Sequence, residues 1–238
     1  NCKAINCSIM TKVDVSNCSQ LQSFDVSNSN QIEEIIMTGC NGPLMADLQF
    51  HSLYNLKKLV ANSSASLTTI RLPKYESLEE AAKGELGRPW NKLEHLDVSN
   101  STIKKIQYGS ADIAGDPICD MSKLTNLKVL YFNNASAVTN VENLNYTAAN
   151  GVANLFNNCF YLKRVSGKIS TSKPSADNMF RRCHILSDIN DLTFDFKNED
   201  GTPCITTAIA AFYRCARATS AMLKKFLDAC GSSLTNIS

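Results

Sequence analysis

The stretch VDVSNCSQLQSFDVSNSNQIEEIIMTGC, residues 13–40, repeats one phrase three times at a step of 11 residues. DVSNC at Asp14–Cys18 returns as DVSNS at Asp25–Ser29 and, more loosely, as IMTGC at Ile36–Cys40. The apolar triplets Met10/Val13/Val15, Leu21/Phe24/Val26 and Ile32/Ile35/Met37 keep the same step. The pattern recurs at Leu56/Leu59/Ala61, Leu67/Ile70/Leu72, Leu93/Leu96/Val98, Ile103/Ile106/Tyr108, Leu127/Leu130/Phe132 and Val138/Val141. Each triplet ends in the alternation of a half-buried strand, and the Ser/Asn/Gly clusters after it are turn chemistry. Extended chain advances about 3.3 Å per residue, so one unit runs out and does not return. Two units, about 22 residues, can close a coil around an apolar interior and stack on their neighbours. The repeat therefore predicts a solenoid of parallel strands over residues 1–238.

Three residues after each triplet lies a slot for a small side chain. Cys7, Cys18, Ser29 and Cys40 occupy it in turn. A side chain there points inward beneath a tight turn, where a compact, weakly donating thiol fits. Cys159, Cys183, Cys215 and Cys230 precede the next apolar position in the same way, so seven thiols are expected to form a reduced, buried column. Cys2, Cys119 and Cys204 lack a slot, and any disulfide is expected to involve one of them. There is no C-x-x-C pair, and Cys183 and His184, as sequence neighbours, would point to opposite sides of the backbone, which disfavours a zinc site.

The C-terminal half reads differently. Phe156-x-x-Cys159-x-x-Leu162 returns as Phe180-x-x-Cys183-x-x-Leu186, and the text before each Cys has helical spacing. Helices are expected in YTAANGVANLFNNC, with Thr147 as N-cap, in PSADNMFRRC, CITTAIAAFYRCARA and SAMLKKFLDAC. Strand-rich coils over 1–145 thus grade into helix-containing coils over 146–238. Insertions at 76–92 and 109–123 break the register and are expected to lie on one face, the second as a loop. DFKNEDG at Asp195–Gly201 has Lys197 where a calcium loop needs Asp or Asn, so a tight hairpin is expected.

Phrases of the types LxxLDVSNC and FxxCxxL resemble those of BspA-like leucine-rich repeat surface proteins of host-associated bacteria. The first type stands at Leu21–Cys40 and Leu93–Thr102, the second at Phe156–Val165 and Phe180–Ile189. The resemblance implies an α/β leucine-rich repeat fold, display outside the cell or at its surface, and binding of a protein or glycan. It carries no catalytic residues.

Composition narrows the function classes. The chain is 44% hydrophobic and 19% charged, which excludes disorder. A net charge of +2 gives no electrostatic case for nucleic acid. No apolar run approaches a membrane span. The chain starts without Met and within repeat-like text, which reads as a processed or excised segment. His51, His95 and His184 sit in unrelated contexts, so nucleophilic catalysis is not expected and no cofactor is implied. Asp112, Asp116 and Asp120 are the best carboxylates for glycan cleavage, and a solvated acidic loop is the preferred reading. What remains is the outward face of the strands. Its ladder Glu33/Glu34, Lys57/Lys58, Glu94/His95/Asp97 and Lys128/Tyr131 alternates in charge. The expected binding residues are Tyr131, His95 and Trp90, flanked by Lys128, Glu94, Asp97, Lys57 and Lys58. Charge alternation also serves simply to keep like charges apart on neighbouring strands. The function expected is a non-catalytic binding or adhesion module; a phage or virion component and a polysaccharide-processing solenoid are the alternatives.

Overall fold

The computed structural model describes residues 1–74, 79, 92–112 and 114–237. The triplets become short parallel strands, and from Glu34 to Tyr108 the chain passes alternately between two parallel sheets. The five-stranded sheet runs Val129–Tyr131, His95–Asp97, Lys58–Val60, Glu34–Ile36, Lys12–Asp14. The seven-stranded sheet runs Leu192–Phe196, Arg164–Thr171, Asn140–Thr147, Cys119–Asp120, Lys105–Tyr108, Thr69–Leu72, Asp47–Gln49. Two further pairs are Cys2–Lys3 with Phe24–Asp25 and Thr207–Ala208 with Asn236–Ile237. The register follows the repeat. Val13, Ile35, Leu59, Leu96 and Leu130 fall in one row, and Leu48, Ile70 and Ile106 in a row of the other sheet. Nearly every triplet residue is buried, and one contiguous cluster of buried side chains runs from Val13 to Cys230.

The turns explain the Asn-rich text. Asn6, Asn17 and Asn28 have positive φ of 58°, 62° and 57°, and Gly39 takes the next equivalent position at 72°. Asn is the non-Gly residue best suited to this left-handed region. Asn100, Asn134 and Asn158 also form a side-chain ladder, each link 2.8 Å.

The helices expected before Cys159, Cys183 and Cys215 are absent; these segments are successions of tight turns. The reason is visible in the backbone. Asn154 and Asn158, Asn178 and Arg182, and Ala210 and Arg214 all have positive φ near 60°, once every four residues. That interrupts any α-helix. The N–H groups of Asn154, Asn158, Asn178 and Arg182 bond to a later turn segment instead of back along their own. Asn154, Phe156 and Asn158 donate to the carbonyls of Asp177, Met179 and Arg181; Asn178, Phe180 and Arg182 donate to those of Ile209, Ala211 and Tyr213. Thr147 ends a strand and is not a helix cap. Among the described residues the one α-helix of the C-terminal half is Ser220–Cys230. Thr219 Oγ1 caps it by accepting from Met222 N, and Gly231 closes it at φ 65°. Met222, Phe226 and Cys230 are its buried face.

Phe132, Phe156, Phe180 and Phe212 stack through these turns, with centroids 5.8, 5.5 and 5.1 Å apart, and Phe226 closes the column edge-on to Phe212 at 5.2 Å. The insertion at 109–123 is not a loop throughout, because Cys119–Asp120 pairs with strands on both sides. Asp195–Gly201 makes the expected hairpin turn, with Asn198 N bonded to Thr202 O and Lys197 bridged to Pro203. Between Val141 and Leu144 the seven-stranded sheet carries a bulge. Gly167 lies against it at φ 108°, and a Cβ there would stand 2.2 Å from Leu144 O.

Candidate functional site

The five-stranded sheet brings most of the expected site residues together. His95 pairs with Val129 on one side and Lys58 on the other. The Tyr131 ring stands 6.0 Å from the His95 ring, inclined at 58°. A hydrogen-bond chain holds the tyrosine. Leu130 N–H donates to Tyr146 Oη, Tyr146 Oη donates to Asn150 Oδ1, and Asn150 Nδ2 donates to Tyr131 Oη at 2.9 Å. Tyr131 nevertheless remains 36% exposed. Burial, and secondarily the Lys58 ammonium, hold the His95 pKa below its ordinary value, so the ring is neutral at pH 7. The result is a fixed aromatic pair at one edge of the sheet, part apolar face and part hydroxyl.

The charged ladder is largely satisfied within the sheet. Lys57 pairs with Glu33 at 2.8 Å, Lys128 with Glu94 at 3.0 Å, and Lys12 with Glu34 at 3.4 Å. These pairs are solvent-exposed, so each contributes about 0–1 kcal/mol to stability. Their alternation therefore first keeps neighbouring strands from repelling, and it also leaves Lys57, Glu94 and Lys128 at the surface. Asp97 does not belong with them. It is 9% exposed, and its carboxylate accepts from Ser99 N, Ser99 Oγ and Asn62 Nδ2 at 2.7–2.9 Å, which makes it a turn-forming group. Strand alternation had placed it outward; the turn beside it closes over it. Trp90 lies outside the described residues, as does nearly all of the 76–92 insertion.

The thiol slot shows a recurring contact. Cys40 Sγ donates to Val15 O, Cys159 to Phe132 O and Cys183 to Phe156 O, each at 3.1 Å, and Cys215 to Phe180 O at 2.8 Å. Ser29 Oγ makes the same bond to Ala4 O at 2.6 Å. All ten cysteines are free thiols. Burial pushes the Cys159 pKa up to about 12 and that of Cys183 well above the ordinary value, so neither is a nucleophile near neutral pH. The column is less uniform than its spacing suggests: Cys18 is exposed, and Cys7 and Cys215 are half-buried. Cys18 lies beside Lys12–Asp14, the edge strand of its sheet, and no described strand covers it on that side. Conversely, Cys119 and Cys204, which lack a slot in the sequence, are both buried, Cys119 in an inward row between Ile106 and Val141 and Cys204 bonded to Thr171 O at 3.2 Å.

The three carboxylates of the 109–123 insertion take different roles. Asp112 pairs with Arg71 at 2.6 Å, and Asp120 accepts from Ser122 N and Asn143 Nδ2 in a turn. Asp116 lines a cavity of about 260 Å³ beneath the insertion. Among the described residues no group of three His, Cys, Asp or Glu side chains is arranged to hold a metal ion.

An aromatic patch escaped the sequence reading. Phe160 and His184 stack at 5.3 Å, and Tyr161, 60% exposed, and Ile185 line the same shallow depression. The signal was present: the two residues after a slot cysteine are Phe160 and Tyr161 in one repeat, and His184 and Ile185 in the next.

No known protein family, curated protein or solved structure matches this chain. No helix among the described residues is long and apolar enough to cross a membrane.

Proposed function

We propose that this chain is a leucine-rich repeat solenoid of the BspA-like kind, acting at a cell surface or outside the cell as a non-catalytic binding or adhesion module. The circuits of chain stack as coils of one array, and the five-stranded sheet is its recognition face for a protein or glycan. Tyr131 is the central contact, His95 its stacking neighbour, and Lys128, Glu94, Lys57 and Lys58 the polar surround. The observation that carries this reading is the restraint on Tyr131. An exposed aromatic ring held by Asn150 and His95 loses little conformational freedom when a partner covers it. Aromatic residues fixed beside charged groups are the usual anchors of binding surfaces.

The test is binding of the purified chain to immobilised mucin, extracellular-matrix proteins and a glycan array, repeated with Tyr131→Ala and His95→Ala. Tyr131→Ala should weaken capture about tenfold, matching a well-packed anchor worth 1–2 kcal/mol, with an unchanged melting temperature. Full capture by both variants and by Lys57→Glu/Lys128→Glu would remove the function from this face.

A further inference from the structure

We infer that the turn ridge of the C-terminal half binds an acidic polysaccharide, one bearing sulfate or uronate groups, through Arg181, Arg182, Arg214 and Arg217 and the aromatic rings beside them. The ridge extends the binding role proposed above but uses none of the residues of the Tyr131 face.

The ridge is a column of left-handed residues. Asn100, Asn134, Asn158, Arg182 and Arg214 follow one another in it, with φ of 52°, 58°, 61°, 60° and 60°. Backbone bonds set the order: Asn134 N–H donates to Asn157 O, Asn158 N–H to Arg181 O and Arg182 N–H to Tyr213 O. The three asparagines form a side-chain ladder, and there it stops. Asn158 Oδ1, the last acceptor, is buried without a donor. An Asn in place of Arg182 would supply that donor, as Asn158 does for Asn134. Arginine therefore suits the fold poorly at this position. It lacks the short polar side chain that eases the left-handed region, and it ends the ladder.

The positive charge is also uncompensated. On the five-stranded sheet lysine stands against glutamate, but here Arg214 follows Arg182, with Arg181 and Arg217 close by in the chain. Residues 178–187 and 201–227 contain no Asp or Glu. The ion pairs of the described C-terminal half use Arg164, Lys168 and Lys224 instead. Among the described residues none of the four guanidiniums makes a hydrogen bond or an ion pair. Like charges on neighbouring segments repel. Neither backbone nor electrostatics of the fold accounts for these arginines; a partner that brings negative charge does.

Aromatic rings complete the surface. Arg181 Cζ and Arg214 Cζ lie 5.7 and 5.3 Å from the centre of the Tyr213 ring, which is 47% exposed. That contact restrains both guanidiniums. Beyond the buried Cys183, His184 stacks on Phe160, and exposed Tyr161 lines the same depression. Arg217 takes the repeat position of Tyr161 and Ile185 in the following turn. Guanidinium forks match the oxygens of carboxylate and sulfate groups. Flat aromatic faces cover the C–H faces of sugar rings. A linear polymer that joins anionic groups to such faces is an acidic glycan; an acidic peptide supplies the charge without the rings. The whole chain carries a net charge of only +2, which fits a ligand that meets one ridge and not a nucleic acid spread over the surface.

The experiment is calorimetric titration of the whole chain with heparin-derived and polygalacturonate oligosaccharides. A neutral maltooligosaccharide, polyglutamate and oligodeoxythymidylate are the comparisons. An acidic oligosaccharide should bind, and the tighter of the two identifies sulfate or carboxylate as the anion. Arg182→Asn and Arg214→Asn install the residue that the ridge uses elsewhere. Each should weaken binding about tenfold, the loss expected for one charge-assisted hydrogen bond. The melting temperature should stay level or rise. Tyr161→Ala should weaken binding of the glycan about fivefold and leave polyglutamate unaffected. Tyr131→Ala should change none of these titrations. The site would be overturned if neither acidic oligosaccharide bound, or if polyglutamate or the oligonucleotide bound as tightly. Full affinity in Arg182→Asn/Arg214→Asn would overturn it too, and a lower melting temperature there would make the arginines structural and overturn it equally. Those results leave the Tyr131 face untouched, and loss of partner capture in Tyr131→Ala leaves the ridge untouched, so the two ideas fail separately.

Discussion

A thiol in the repeat slot does two things at once: it fills a small inward space and it donates to a carbonyl of the preceding circuit. Ser29, bonded at 2.6 Å to Ala4 O, shows that the donor matters as well as the volume. Replacing Cys159 by Ser should therefore cost less than about 1 kcal/mol, whereas Cys159→Ala, which leaves Phe132 O without its side-chain donor and opens a small void, should cost about 1–2 kcal/mol in chemical denaturation. Equal losses for both would mean that packing alone sets the slot. Burial raises the Cys159 pKa from a thiol's ordinary 9.0 to about 12. The folded state thus keeps a proton that the unfolded chain releases. The stabilisation is complete below pH 9, declines as pH rises from 9 towards 12, and is lost above the folded value. Thiol labelling of the native protein at mildly alkaline pH should reach Cys18 quickly and Cys159 and Cys183 only on unfolding. Prompt labelling of Cys183 would contradict the inward slot.

At the scale of elements, the turn segments of the C-terminal half depend on left-handed residues. Asn158 sits at φ 61°, donates its N–H to Arg181 O and its side chain to Asn134 Oδ1. Asn158→Gly keeps the backbone and loses only the side-chain bond, so its cost should stay near 1 kcal/mol or below. Asn158→Ala also places a Cβ in the left-handed region, which adds about 1–2 kcal/mol. Alanine would be the better residue in a helix, so the order of the two variants decides directly between turn and helix. A more stable Asn158→Ala would reinstate the helix. Val152 and Phe156, four residues apart, are both buried in the turns, as they would be on one face of a helix, which is why spacing alone could not separate the two.

For the whole molecule, the phenylalanine column ties separate circuits together. Phe180 touches Phe156, Phe194 and Phe212 and is fully buried. Phe180→Ala should cost about 3–5 kcal/mol. Because ring contacts and the bonds Phe156 N to Met179 O and Phe180 N to Ala211 O couple neighbouring turn segments, hydrogen exchange should quicken at Phe156 N and at the turns of 209–215 as well as around residue 180. Exchange that quickens at residue 180 alone would mean that the circuits open independently.

The 11-residue step by itself determined the strands, their parallel register and the core. Val13, Ile35, Leu59, Leu96 and Leu130 could be placed in one row because a period of two leaves no choice of face once one side is buried. It also marked Tyr131 and His95 as neighbours across two strands. Other features depended on groups far apart in the chain. Four-residue spacing in the C-terminal half fits a helix and a succession of turns equally well, and only cross-circuit hydrogen bonds, such as Phe156 N to Met179 O, selected the turns. Asp97 looked like an outward strand residue until Asn62 reached it from another circuit. Cys119 had no place in the repeat until the insertion returned it to the sheet beside Ile106. Gln107 and Arg71 followed strand alternation to the outer face, where the 109–123 insertion then buried them. Periodicity fixes which face of a strand a side chain occupies; what covers that face depends on long-range partners that no local pattern encodes.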